Sequence, residues 1–171
     1  MRADPNALYA LLETEGISYR RFDHPAVFTC EEAARLVPAE ADAVHTKNLF
    51  LRDKKGRRHW LLVTTCAKQV DLRALAPRIG ADNLSLGSPE RLEKYLGLTP
   101  GAVTLLAVVN DRDRAVEVVI DREVWEADAL RCHPLVNTTT LVVRRADLER
   151  LLGVTGHRPL LIEVPVRAGV G

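Results

Sequence analysis

Three short segments carry residues able to do chemistry, each at the edge of an apolar run. They are Thr46-Lys47-Asn48-Leu49-Phe50-Leu51-Arg52-Asp53, Thr99-Pro100-Gly101-Ala102-Val103-Thr104 and His133-Pro134-Leu135-Val136-Asn137-Thr138. Stability does not ask for polar, geometrically special residues at three such edges; a pocket built from strand ends does. Lys47, opening an alternating strand, is either a solvated residue or a point charge for a phosphate or carboxylate. Asn48 can donate and accept hydrogen bonds. Strand neighbours face opposite ways, so both reach one site only where the strand bends or begins. Thr99-Pro100-Gly101 is a turn by composition, and Gly101 also lets a backbone approach a ligand closely. His133 is held extended by Pro134, which fixes its direction for a pocket or for packing. Cys132 and His133, adjacent in extended chain, point apart, so they are not a thiolate–imidazole pair and Cys132 reads as an inert core residue. Lys54, Lys55, Arg57 and Arg58 form the one dense basic cluster, either a solvated tip or a contact for a phosphate backbone.

Other chemistries lack their residues. No two histidines or cysteines stand at metal-ligand spacing, so no metal site is expected. There is no GKS/GKT phosphate loop and no Gly-x-Ser-x-Gly elbow, and no cofactor is implied. The 171 residues fit a single domain, and 47% apolar content supplies a core of Leu, Val and Ala with only 5% aromatics. A formal charge of +1 argues against coating nucleic acid through bulk charge and leaves room for a local patch. The N-terminus shows no apolar signal region, and no apolar stretch reaches the roughly 20 residues of a membrane span. The three scattered cysteines, Cys30, Cys66 and Cys132, read as reduced thiols of a cytoplasmic protein.

The elements that must position these residues follow from caps and periodicity. Asp4-Pro5 starts a helix that Gly16 ends, and a strand is expected over 17–22. Thr29-Cys30-Glu31-Glu32 has capping-box spacing for a helix to about Val37. Strands over 47–52 and 60–65 flank the basic tip as a β-hairpin. Asp71 and Ser88 cap two further helices that end near Gly80 and Gly97, with a short strand over 84–86 between them. Strands over 103–109 and 115–120, joined by Asn110-Asp111-Arg112-Asp113, read as a second hairpin. Residues 121–128 hold a helical turn, 130–137 is irregular, 138–143 is a strand, 146–152 is a helix ending at Gly153, and 160–164 is the last strand. The tail from about 165 to Gly171 reads as frayed. Hairpins and short helices alternate without regular βαβ units. The expected class is α+β: one domain over 1–171, with a mixed, largely antiparallel curved sheet flanked by short helices.

The three segments in this order and spacing, with Val109-Asn110-Asp111 after the second and the stretches 16–25 and 29–34 before the first, resemble the YbaK/ProX family of aminoacyl-tRNA deacylases. That family is related to the editing domain inserted in bacterial-type prolyl-tRNA synthetases, and the likeness runs from about Leu8 to Val164. It is greatest to the free-standing ProX branch, which hydrolyses alanine mischarged on proline tRNA; the cysteine-specific branch is the nearest rival. One departure stands in the pocket region: Leu105-Leu106 occupy the place where relatives usually carry a proline.

The resemblance implies hydrolysis of the ester at the tRNA 3′ end without a covalent nucleophile. Lys47, Gly101 and His133 would be catalytic: Lys47 anchoring the terminal phosphate and carbonyl side, Gly101 giving backbone contacts, His133 positioning substrate or acting as a base. Asn48, Thr99, Pro100, Ala102, Pro134, Asn137 and Thr138 would bind substrate. Lys54, Lys55, Arg57 and Arg58 would touch tRNA. The implied partners are the acceptor end of tRNA(Pro) and prolyl-tRNA synthetase, with no metal and no membrane. The alternatives are Cys-tRNA(Pro) as substrate, or a non-enzymatic module that binds tRNA or a synthetase.

Overall fold

Four of the expected caps close with a hydrogen bond in the computed structural model, which describes residues 3–38 and 43–168. Asp4 accepts from the Ala7 N–H at 2.8 Å and opens α1 (Pro5–Thr14). Thr29 accepts from Glu32 at 3.1 Å and opens α2 (Cys30–Leu36). Asp71 and Ser88 do the same for α3 (Leu72–Arg78) and α4 (Pro89–Leu96). Each cap satisfies a backbone donor that the first helical turn leaves free.

The strands form two mixed sheets rather than one. The first runs β1 (Tyr19–Asp23), β8 (Thr139–Arg144), β7 (Ala129–Cys132), β2 (Ala43–Val44). The second runs β5 (Ser85–Leu86), β3 (Thr46–Arg52), β4 (His59–Thr65), β6 (Val116–Asp121), β9 (Leu160–Ile162). The predicted β3–β4 hairpin is present, with Lys47 opposite Thr64 and Arg52 opposite His59. β4 is central and wholly buried because both faces of its sheet are covered. Phe50, Leu61, Val63, Val118 and Ile120 face the main core, which α1, α4 and α6 (Arg145–Thr155) complete. Leu51, Trp60, Leu62 and Val119 alternate to the other face and pack on α3 in a second cluster.

Several expectations are corrected. The hairpin expected from strands over 103–109 and 115–120 is not formed among the described residues. Residues Leu105–Asn110 form a 3₁₀ helix, capped where Thr104 Oγ1 accepts from Leu106 N at 3.3 Å. Its β-prone composition reflects burial: Leu105, Leu106, Ala107 and Val108 are all enclosed. β6 instead pairs in parallel with β4 on one side, Leu61 opposite Val118, and with β9 on the other. The stretch read as irregular begins inside a strand: residues 130–132 belong to β7 (Ala129–Cys132), paired with β8. The late helix runs through Gly153 and ends at Gly156, which takes the left-handed conformation at φ +80°. The turn at 121–128 contains the short α5 (Arg122–Trp125). The tail is pinned as far as it is described: Val166 bridges Val70, and Arg167 N–H donates to Gln69 at 2.9 Å. Residues 169–171 lie outside the described residues. No helix among the described residues is long and apolar enough to cross a membrane.

Cys30 and Cys66 are not separate thiols but a disulfide, with Cα atoms 5.8 Å apart across 36 residues of sequence. Spacing along the chain could not show this, because the contact arises where α2 lies against the end of β4. Cys132 is free and buried, and burial pushes its thiol up to about 12, which makes it the inert core residue expected.

Candidate active site

A cavity of about 300 Å³ opens where the start of β3, the end of β7, α2 and the loop around Gly101 meet. The sheets are joined there by Thr46, whose hydroxyl donates to the Arg131 carbonyl at 2.9 Å. Lys47, Asn48, Gly101 and His133, from three distant segments, all line this cavity. Lys47 and Asn48 share it because β3 begins at its mouth.

Each wall residue is held by a specific contact. The Lys47 ammonium donates to the carbonyl of Lys68. Lys68 in turn bonds the buried Asp121 carboxylate at 2.7 Å, and Thr64 donates to the same oxygen at 2.8 Å. Burial pulls Lys47 below the ordinary lysine range, with Glu31 acting in the opposite direction. The Asn48 side-chain oxygen is buried with no hydrogen-bond partner among the described residues, an acceptor on the cavity wall. His133 Nδ1 lies 2.9 Å from the Thr139 carbonyl, which can only accept. That nitrogen therefore carries the proton, and Nε2 keeps its lone pair in the neutral ring. Burial depresses His133 more than the Thr139 bond raises it. His24 is held likewise: its Nδ1 donates to the Pro25 carbonyl at 2.9 Å, and its Nε2 lies 2.8 Å from the Thr140 hydroxyl.

Gly101 has φ +92°, and an added Cβ would stand 2.8 Å from the Phe28 ring and 3.2 Å from Asn137 Nδ2. The position needs glycine for its backbone angle and for its close neighbour. Phe28 itself is 69% exposed on the rim. Arg131 is buried in the wall, donating to the Pro38 carbonyl at 3.1 Å. His45, also in the wall, is lowered by burial and then by Arg131.

Six residues given substrate contacts on resemblance do not line the cavity. Thr99 and Pro100 are exposed in the turn before Gly101, and Ala102 is core. Pro134 is buried. Asn137 braces the wall instead, its Nδ2 donating to the Val27 carbonyl at 2.8 Å. Thr138 accepts the His24 N–H through its carbonyl at 3.0 Å. The basic cluster is at the far end of β3, about 20 Å from Lys47 at about 3.3 Å per residue. There Asp53 accepts from the Arg57 and Arg58 N–H groups. Arg58 is engaged by Glu117 at 2.9 Å and by the Trp60 ring, which leaves Lys54, Lys55 and Arg57 as the outward charges. Phe28, Arg131, Thr140, Cys30 and Cys66 were missed. Arg131 stands two residues before His133, at the end of β7, and both line the cavity. Among the described residues no group of three or more His, Cys, Asp or Glu side chains could hold a metal.

The sequence profile of the aminoacyl-tRNA editing domain matches residues 24–151. The chain is 39% identical over 158 residues to the prolyl-tRNA editing protein ProX of Acetoanaerobium sticklandii, spanning 92% of this chain and 96% of that protein. It is 39% identical over 142 residues to the prolyl-tRNA synthetase associated domain-containing protein 1 of Danio rerio, spanning 82% and 76%. The fold matches the crystal structure of a candidate trans-editing enzyme for prolyl tRNA synthetase with a TM-score of 0.70 and 19% identity, over 98% of this chain and 100% of that one. By the profile and the identity along nearly its whole length, this chain belongs to the aminoacyl-tRNA editing domain family.

Proposed function

We propose that this protein deacylates mischarged tRNA in trans, with Ala-tRNA(Pro) as its preferred substrate, by water attack on the aminoacyl ester. The observation that carries the reading is the shared cavity: Lys47, Asn48, Gly101 and His133 face one small volume. At about 300 Å³ it stands at the low end of small-ligand pockets, which suits an aminoacyl group on a ribose.

The ester is already activated, so orientation and charge stabilisation suffice. Lys47 and Arg131 bring positive charge to the wall, suited to the oxygen that becomes negative as water adds. The unpartnered Asn48 oxygen is placed to accept from the substrate's ammonium. The neutral His133 ring offers Nε2 to a water or to a ribose hydroxyl. Gly101 offers bare backbone, and the exposed Phe28 ring offers a face on which the terminal adenine can stack. Selection would be steric: an added methylene is worth only about 1–3 kcal/mol in an apolar pocket, so rejection of proline requires that its ring not fit the cavity. The outward Lys54, Lys55 and Arg57 would follow the acceptor stem, and prolyl-tRNA synthetase is the synthetase whose product is surveyed. Such a substrate assigns the protein to the cytoplasm.

The test is single-turnover deacylation of Ala-, Cys- and Pro-tRNA(Pro). Alanine is expected to be released fastest and proline at the spontaneous rate. Faster release of cysteine would move the assignment to the cysteine-specific chemistry. Retention of tRNA without turnover of any substrate would leave only a binding module.

A further inference from the structure

We propose that Cys30 and Cys66 are a reversible thiol–disulfide modification site on the cavity wall, oxidised by a small disulfide of the glutathione class. In this proposal their state sets how firmly α2 closes the wall. Both cysteines line the cavity and both are half-buried, so a reagent entering the cavity reaches them. Their Cα separation of 5.8 Å is within the span a disulfide requires.

The consequences follow from what the bond joins. On one side is α2, a helix of 7 residues with no buried residue, so little apolar burial holds it in place. On the other is the turn at 66–68, tied to the residue just before β3 where Cys66 N–H donates to the His45 carbonyl at 3.1 Å. That turn presents the Lys68 carbonyl to the Lys47 ammonium and is itself anchored on Asp121. The disulfide thus links a weakly packed wall to the support of Lys47. The reduced state is also provided for. The Thr46 carbonyl lies 3.3 Å from Cys66 Sγ and 3.7 Å from Cys30 Sγ, an acceptor for a thiol once the bond opens.

The chemistry balances as ordinary exchange. One cysteine thiolate attacks oxidised glutathione, breaking its S–S bond, forming a mixed disulfide and releasing one glutathione thiolate. The second cysteine attacks the protein sulfur of that mixed disulfide, closing Cys30–Cys66 and releasing the other glutathione. Two electrons pass from the cysteine pair to the oxidant, and the two protons the cysteines lose end on two glutathione thiols.

The whole chain is equilibrated with reduced or oxidised glutathione, its thiols are counted by mass after maleimide labelling under denaturing conditions, and amide exchange is followed over residues 30–36. Three thiols are expected in the reduced form and one in the oxidised form, interconverting reversibly. Amides of α2 should exchange about tenfold faster when reduced. Cys66→Ser should exchange at the reduced rate under both conditions. Failure of the bond to form at any glutathione ratio, or equal α2 exchange in forms whose thiol counts differ, would overturn the proposal. Its functional half rests on the deacylase reading. Release of alanine from Ala-tRNA(Pro) should be about tenfold slower in the reduced form, and equal rates in the two forms would remove that half. Absence of hydrolysis in both forms would instead remove the deacylase reading, while thiol count and exchange still decide the switch.

Discussion

His133 is aimed by one hydrogen bond, and burial lowers its pKa; in the proposed reaction both would bear on the rate. Its depressed pKa means that the neutral ring persists below the usual histidine value of about 6.5. Hydrolysis that needs Nε2 unprotonated should be flat across neutral pH and should fall only as pH drops past that depressed value. A pH profile of kcat/KM checks this, and His133→Gln should flatten the acid limb; a limb with its midpoint above 6.5 would contradict it. Residue types announced His133, Lys47, Asn48 and Gly101 because lysine, asparagine, glycine and His-Pro at strand edges are physically conspicuous. Thr99, Pro100, Ala102, Pro134, Asn137 and Thr138 stand within a few residues of Gly101, His133 or Thr140 without lining the cavity, and nearness in sequence carries no information about which way a side chain turns. The cysteine pair was illegible for the opposite reason: its contact is wholly tertiary.

Among the elements, the turn after the 3₁₀ helix shows how strongly one carboxylate can organise a connection. Asp111 accepts from the Ala115 and Val116 N–H groups and from His157, all at 2.9 Å. Burial alone would raise its carboxyl, but the His157 bond and the two backbone N–H groups hold it below the ordinary carboxylate range. With the folded value depressed, its stabilisation is present above the unfolded value of about 3.9 and is lost as pH falls through the folded value. Asp111→Asn should lower the unfolding free energy by about 1–3 kcal/mol at neutral pH, with the deficit shrinking in strong acid. Denaturant titrations at neutral and acid pH measure it, and an undiminished deficit in acid would contradict the assignment. Helix starts were legible because caps are local chemistry. The 3₁₀ segment was misread because four consecutive buried apolar residues look alike in a strand and in an enclosed helical turn. Another signal hidden from sequence is Leu135, a bulky residue held at φ +68° in the loop after His133.

Over the whole molecule, the two mixed sheets put the cavity and the basic hairpin tip at opposite ends of β3. An α+β class was readable from alternating hairpins and short helices. The division into two sheets was not, because it depends on β6 choosing β4 as a parallel partner. The separation of about 20 Å between Lys47 and the tip suits a ligand held at its end and steadied along its stem. Removing Lys54, Lys55 and Arg57 together should weaken tRNA binding and reduce the salt slope by about three; an unchanged slope would show that the tip does not meet phosphate. The most direct measurement is single-turnover hydrolysis of Ala-tRNA(Pro) by the wild-type chain and by Lys47→Ala, with thermal unfolding recorded for both. Loss of at least about a hundredfold in rate with an unchanged unfolding midpoint is expected. A folded Lys47→Ala protein that releases alanine at the wild-type rate would contradict the proposal that this cavity is where the ester is cleaved.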